Sequence, residues 1–319
     1  TLRHYYTNIS RQNFLGPNAE IIILWGVTFL KRDFLAASVQ WFAFCGIGIA
    51  IYRISRMLGN SALSSLFAAL TFLTLPMVIL QSSTTQNDLV VTFFTITFFY
   101  FYHQGLLVKN NSYSFLSGLA LGLAVGTKGT IFYMGPGLVF ASMVLTLIHK
   151  PKPSFVIRWL GFCMAGLILL GAYNYVQNYV EYGNPLGPKD MLDYNTVKDP
   201  NFKKTISNVI RYAFNTAEWT GLPMENAFHR EKERWGEKYL SHLTRTHDQS
   251  DKFFSFKTHS GASIHEDVAW FGFLGFFLFW PVLLFSLSQF THFKNKADRS
   301  IYAFISFFCF IFFCYSHSY

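Results

Sequence analysis

The chain has 319 residues, of which 51% are hydrophobic, 19% aromatic and only 13% charged. Soluble domains carry about 25% charged residues, so this composition excludes an ordinary soluble globular domain, and the apolar residues cluster in runs near the ~20 residues that cross a bilayer. The formal net charge of +9 would by itself suggest nucleic acid, but many of the basic residues stand in short loops between apolar runs. The positive-inside rule accounts for them there, and no nucleic-acid partner is expected.

In chain order, residues 1–17 are polar and aromatic, and residues 1–34 read as the end of an extracytoplasmic loop with one interfacial helix. That helix, Asn18–Leu30, contains Glu20 and would be about 20 Å long, too short for a hydrocarbon core of about 30 Å. Residues 35–180 read as a transmembrane bundle. Its spans are expected at 35–54, 63–80, 89–108, 113–125, 131–148 and 159–180. Residues 181–265 have mixed charge with Trp219 and Trp235, and read as a folded extracytoplasmic cap with a helix over 223–243. Residues 266–319 carry two further spans, at 268–290 and 301–315. The expected fold is all-α: a polytopic helical bundle of about eight spans with a cap. The chain begins without Met and stops within an apolar run at Tyr319, so it reads as a fragment of a longer protein.

Orientation follows from the loops. Those at 53–62, 109–112, 149–158 and 294–299 carry Lys or Arg and read as cytoplasmic; those at 81–88 and 126–130, with the cap, read as extracytoplasmic. Two places carry basic residues on the extracytoplasmic side: Lys31-Arg32, beside Asp33 at the end of the interfacial helix and read as snorkelling, and Lys128, a lysine between two apolar helices on the side where loop 81–88 has no Lys or Arg. Lys128 is read either as a snorkelling residue or as an anion ligand that needs a partner from elsewhere in the chain. Its neighbours Gly126 and Gly129, and the start of the next helix, are expected to offer close backbone approach and free N–H groups to a phosphate.

One membrane face thus gathers Glu20, Asp88, Lys128, Tyr182, Asn184, Glu266 and Asp267. Individually these have bland readings. Asp88 ahead of Leu89 and Asp267 ahead of Val268 are plausible helix N-caps, and 184–188 is a Pro/Gly turn. Together, one cation among four carboxylates suits an anionic lipid headgroup and acid–base work. The four cysteines lie in apolar runs without metal spacing, the cap histidines form no tight pair, and no phosphate-loop or Ser-His-Asp motif occurs. No cofactor is called for by these motifs.

Several stretches, in order, resemble the GT-C superfamily of polytopic glycosyltransferases, in the branch of protein O-mannosyltransferases and the lipid A aminoarabinose transferase. They are Pro17-x-Ala-Glu20, the run from Ala50 to Gly59, Thr74-x-Pro76 with Thr85-x-x-Asp88, Gly122-Leu-Ala-x-Gly-Thr-Lys128-Gly129, Tyr182-Gly-Asn-Pro-Leu-Gly187, and Glu266-Asp-Val-Ala-Trp-Phe-Gly272. The resemblance implies transfer of a sugar from a polyprenyl-phosphate-linked donor to a lipid, glycan or protein acceptor. It places the protein among membrane lipids, by analogy in a bacterial inner membrane with an extracytoplasmic active site. It implies an inverting reaction in which cations or a divalent metal stabilise the leaving phosphate. Lys128 would meet that phosphate, while Glu20 and Asp88 position the sugar or a metal. Arg11 would close the first loop, and Tyr182, Asn184, Glu266 and Asp267 complete the substrate site. The family's catalytic aspartate lies in that first loop and is expected upstream of Thr1. A transporter or flippase of lipid-linked saccharides is the competing reading; it would place polar groups near the bilayer midplane.

Overall fold

A computed structural model describes residues 7–8, 10–190, 202–219, 222–244, 271–281 and 284. The chain divides into two compact units, residues 1–73 with 81–195, and residues 74–80 with 196–319. Among the described residues the structure is all helical, with no strand.

In the first unit α1 spans Asn18–Leu30, as the sequence suggests, and ends with Lys31 in the left-handed region. Helix α2 spans Ser38–Met57, α3 Ala62–Leu73, α5 Asp88–Val108, α6 Asn111–Thr127, α7 Ile131–His149 and α8 Pro153–Tyr182. The expected span over 63–80 is broken: α3 stops at Leu73 and a separate helix, α4, runs over Pro76–Ser82. Pro76 has no N–H to give back to the preceding turn and disfavours helical geometry at Leu75, which ends α3.

Three described helices, α5, α7 and α8, are long and apolar enough to cross a membrane, or up to four if the broken pair α3–α4 counts as one. That is fewer than the eight spans expected. Helix α2 is long enough at 20 residues but carries Arg53 and Arg56 near its end. Helix α6 has 17 residues and is about 25 Å long. The expected span 301–315 and most of 268–290 lie outside the described residues.

Helices α5 and α6 form an antiparallel hairpin. Lys109 turns the chain at φ 56, and Asn110 caps α6 by accepting from the Ser112 N–H at 2.9 Å. Helix α2 runs parallel to α5: Gln40 meets Leu89 and Val90 at one end, and the Arg53 guanidinium reaches the Tyr100 hydroxyl toward the other. The tightest contact is α6 on α8. A Cβ on Gly118 would lie 2.3 Å from the Phe162 carbonyl, on Gly122 2.1 Å from the Gly166 carbonyl, and on Gly166 2.0 Å from the Gly118 carbonyl. The two backbones touch, as small residues allow between membrane helices. A π-helical turn over Leu167–Gly171 interrupts α8 along this face. Ser117 ties the layer together, donating to the Phe98 carbonyl and accepting from the Trp159 indole.

In the second unit α9 spans Phe202–Thr216 and α10 Glu225–Thr244, close to the helix expected over 223–243. A short helix, α11, runs over Gly272–Leu274 into a π turn over Gly275–Phe279. Stacked rings join α9 to α10 (Phe214 on Trp235, 5.8 Å) and the loop between them to α10 (Trp219 on Phe228, 5.2 Å). The Glu218 carboxylate accepts from the Gly272 N–H at 2.7 Å.

Gly122→Val should therefore force α6 off α8. Overpacking of this kind costs about 1–3 kcal/mol, and the expected result is a lower melting temperature and yield in detergent. Gly135→Ala is the control, because a Cβ there meets nothing within 4 Å. Its melting temperature should stay level or rise.

Candidate functional site

The N-termini of α1 and α5 and the C-terminus of α6 meet at one end of the first unit. Two tertiary hydrogen-bond sets bring them there. The Asn18 amide donates to the Leu170 carbonyl at 2.9 Å and the Leu123 carbonyl at 3.4 Å, which ties the start of α1 to α6 and α8. The Phe14 carbonyl accepts from Asn174 at 2.8 Å and Asn178 at 2.9 Å, one turn apart on α8, and this holds the entry to α1. Gly16 passes so close to α6 that its Cβ would lie 2.6 Å from the Gly126 carbonyl.

At this end Lys128 Nζ donates to Asp88 Oδ1 at 2.6 Å, with side chains 23% and 35% exposed. The partner that the sequence requires for Lys128 is thus Asp88, 40 residues away. The pairing overturns the reading of Asp88 as an N-cap. Asp88 is the first residue of α5, Asn87 holds the cap position, and no side chain there makes a local cap bond. The Asn87 amide instead donates to Glu20 Oε1 at 3.0 Å. Glu20 keeps an open face, yet burial of the rest of its carboxyl raises its pKa above the ordinary value. Its own backbone hydrogen bond, the Asn87 amide and the charge of Lys128 oppose that rise. The site so assembled has two carboxylates and one ammonium, and the ammonium has two N–H donors beyond the one on Asp88.

Two expectations for Lys128's surroundings are corrected. The first N–H groups of α7 are engaged: Ile131, Phe132 and Tyr133 donate to the carbonyls of Lys128, Gly129 and Thr130. This tight first turn satisfies the donors that a phosphate would otherwise meet. Gly126 is used for packing, since its Cβ would lie 2.3 Å from Asn18 Nδ2 and 2.4 Å from the Leu170 carbonyl. Gly129 alone of the two faces open space.

The other residues singled out by sequence fall elsewhere. Asn184 builds a turn, accepting from the Leu186 N–H on its side chain and from the Gly187 N–H on its carbonyl. Tyr182 ends α8 and Gly183 follows in the left-handed region. Arg11 sits in a 3-10 turn over Ser10–Asn13, with its side chain outside the described residues. Glu266 and Asp267 lie outside them altogether. Among the described residues no group of three or more His, Cys, Asp or Glu side chains comes together to hold a metal ion.

Sequence reasoning missed Gln40. This fully buried side chain in α2 accepts on Oε1 from the N–H groups of Leu89 at 3.0 Å and Val90 at 3.2 Å. An amide inside an apolar run was the available signal. Beside it lies a groove of about 430 Å³, lined by Ile22, Ile23 and Gly26 of α1, Val39 and Phe42 of α2, and Phe93 of α5. Its wall begins two residues along α1 from Glu20 and two residues along α5 from Asp88.

Residues 22–179 match the family described as dolichyl-phosphate-mannose-protein mannosyltransferase. The match supports a membrane glycosyltransferase of the GT-C superfamily. The match runs from α1 into α8 and contains Gln40, Asp88 and Lys128, while Glu20 lies two residues before it. No curated protein and no solved structure matches the chain. With the apolar helices, the match supports a multi-pass membrane glycosyltransferase that uses a polyprenyl-phosphate-linked sugar.

The transferase's second unit has its own buried polar groups. Glu218, His229 and Lys232 are each at least nine-tenths buried, and Lys232 Nζ lies 5.2 Å over the Phe214 ring. Burial lowers Lys232 to about 8, with Glu218 and Glu233 opposing the shift. The ammonium should therefore be charged below about pH 8 and neutral above it. Reductive 13C-methylation followed by NMR titration should show one lysine signal titrating near that value, and Lys232→Arg should remove it.

Proposed function

We propose that this chain transfers a sugar from its polyprenyl-phosphate-linked donor to an acceptor at the extracytoplasmic face, with the Lys128–Asp88 pair at the donor phosphate. The observation that carries this reading is the meeting of a lysine–aspartate pair and a second carboxylate, Glu20, at the starts of helices α1 and α5, which also wall an apolar groove. A polyprenyl donor needs both: apolar walls for its isoprenoid chain and a cation for its phosphate. In an inverting transfer the acceptor hydroxyl gives its proton to a carboxylate base and its oxygen forms a bond to the anomeric carbon as the bond to the phosphate oxygen breaks. The leaving phosphate gains negative charge, and an ammonium held beside it stabilises that charge more in the transition state than in the ground state. Asp88 holds the lysine stem in place at one N–H and leaves two for phosphate oxygens. Glu20, tied to Asn87, is placed to receive sugar hydroxyls. The acceptor is a lipid, glycan or protein, and the family's description makes a mannosyl donor the first to try.

A charge-assisted contact of this kind is worth about 1.5–3 kcal/mol, or roughly ten- to a hundredfold in rate. In reconstituted protein, Lys128→Met should cut turnover at least about tenfold with little change in melting temperature. Lys128→Arg should rescue only part of it, because the planar fork places its charge differently. Wild-type turnover in Lys128→Met would leave the lysine a snorkelling residue. Donor flipping without sugar transfer would favour a transporter.

Sidedness has its own test. Single cysteines at positions 85 and 110, in a background lacking the native four, should react with an impermeant reagent from opposite faces of the membrane. Labelling of both from one face sinks the extracytoplasmic assignment.

A further inference from the structure

Helix α5 starts without a local cap, and that start carries Asp88. Asn87, in the cap position, donates its amide to Glu20 and gives no side-chain oxygen to the helix. The cap is supplied from α2. Gln40 Oε1 accepts from the N–H groups of Leu89 and Val90, the two residues directly after Asp88. Gln40 is fully buried, and among the described residues its Nε2 has no hydrogen-bond partner.

We infer that Gln40 is a positioning residue for the transfer reaction: it pins the first turn of α5 so that the Asp88 carboxylate meets Lys128. The Lys128–Asp88 contact joins the ends of two different helices, so its geometry depends on where α5 begins. Two hydrogen bonds from one amide oxygen set that start against α2, and Ser38, Val39 and Ala43 around Gln40 also line the apolar groove. Gln40 thereby couples the phosphate end of the site to the wall that would receive the lipid. It does this with a neutral oxygen, one residue from Asp88, where a carboxylate would add like charge. This inference rests on the proposed roles of Asp88 and Lys128.

The test is a double-mutant cycle in the reconstituted full chain, read as turnover of a polyprenyl-phosphate-mannose donor. Gln40→Met removes the acceptor, Asp88→Asn removes the carboxylate, and the third variant carries both. Each single change is expected to lower turnover at least about tenfold, and the double variant to be no worse than Asp88→Asn alone, since residues acting through one another are not additive. Losses that multiply, or wild-type turnover in Gln40→Met, overturn the inference and leave the proposed function intact. Wild-type turnover in Asp88→Asn defeats the site reading itself, and the role of Gln40 through Asp88 with it. Should Gln40→Met fail to accumulate, Gln40→Glu carries the test, because it keeps an oxygen for both N–H groups. In the same cycle with Asp88→Asn its effect on turnover should likewise be non-additive, and losses that multiply overturn the inference.

Discussion

The first unit depends on the contact between α6 and α8. At Gly118, Gly122 and Gly166 carbonyl oxygens of one helix sit where the side chains of the other would be. In a bilayer the hydrophobic effect does not favour one apolar neighbour over another, so close packing must supply the association. Bare α-carbons allow the approach. Gly126 continues the line and leaves room for Asn18, whose amide then reaches α8. The end of α6, and with it Lys128, is placed by this contact.

Around that contact the polar work is done at a distance. Asn18, Gln40, Asn174 and Asn178 each use an amide to satisfy backbone groups of another segment. In an apolar setting an unsatisfied backbone group is expensive, so each such bond strongly selects one arrangement of the segments it joins. The residues that order the site are therefore mostly neutral amides. The charged residues are left for Asp88, Lys128 and Glu20, at the end where solvent and headgroups are within reach. A lysine in hydrocarbon is costly; paired with Asp88 and partly exposed, Lys128 avoids that cost and keeps donors for a ligand.

The groove beside the charged cluster gives the site two kinds of surface within a turn or two of helix. Its walls come from α1, α2 and α5, and the same three helices contribute Glu20, Gln40 and Asp88. A ligand with a charged head and a long apolar chain fits such a junction better than a free nucleotide sugar does, because the groove has little polar lining to offer a nucleotide.

Much of this was legible in the sequence. The scarcity of charge and the lengths of the apolar runs determined a helical membrane protein, since only helices and closed barrels satisfy every backbone group in lipid. The short apolar stretch at 18–30, the glycine run ending at Lys128 and the need of that lysine for a partner were all visible, because each follows from residue type at a given spacing. Tertiary structure decided the rest. Asp88 looked like a cap from its neighbours, and only the fold shows its carboxylate turned to Lys128 while Gln40 caps the helix from α2. The glycines beside Lys128 looked like room for a ligand, and the fold spends Gly126 on packing. The reason is common to all three: a backbone N–H, a carboxylate or a bare α-carbon can be satisfied by any suitable group within about 3 Å, and which group arrives depends on how helices distant in sequence pack.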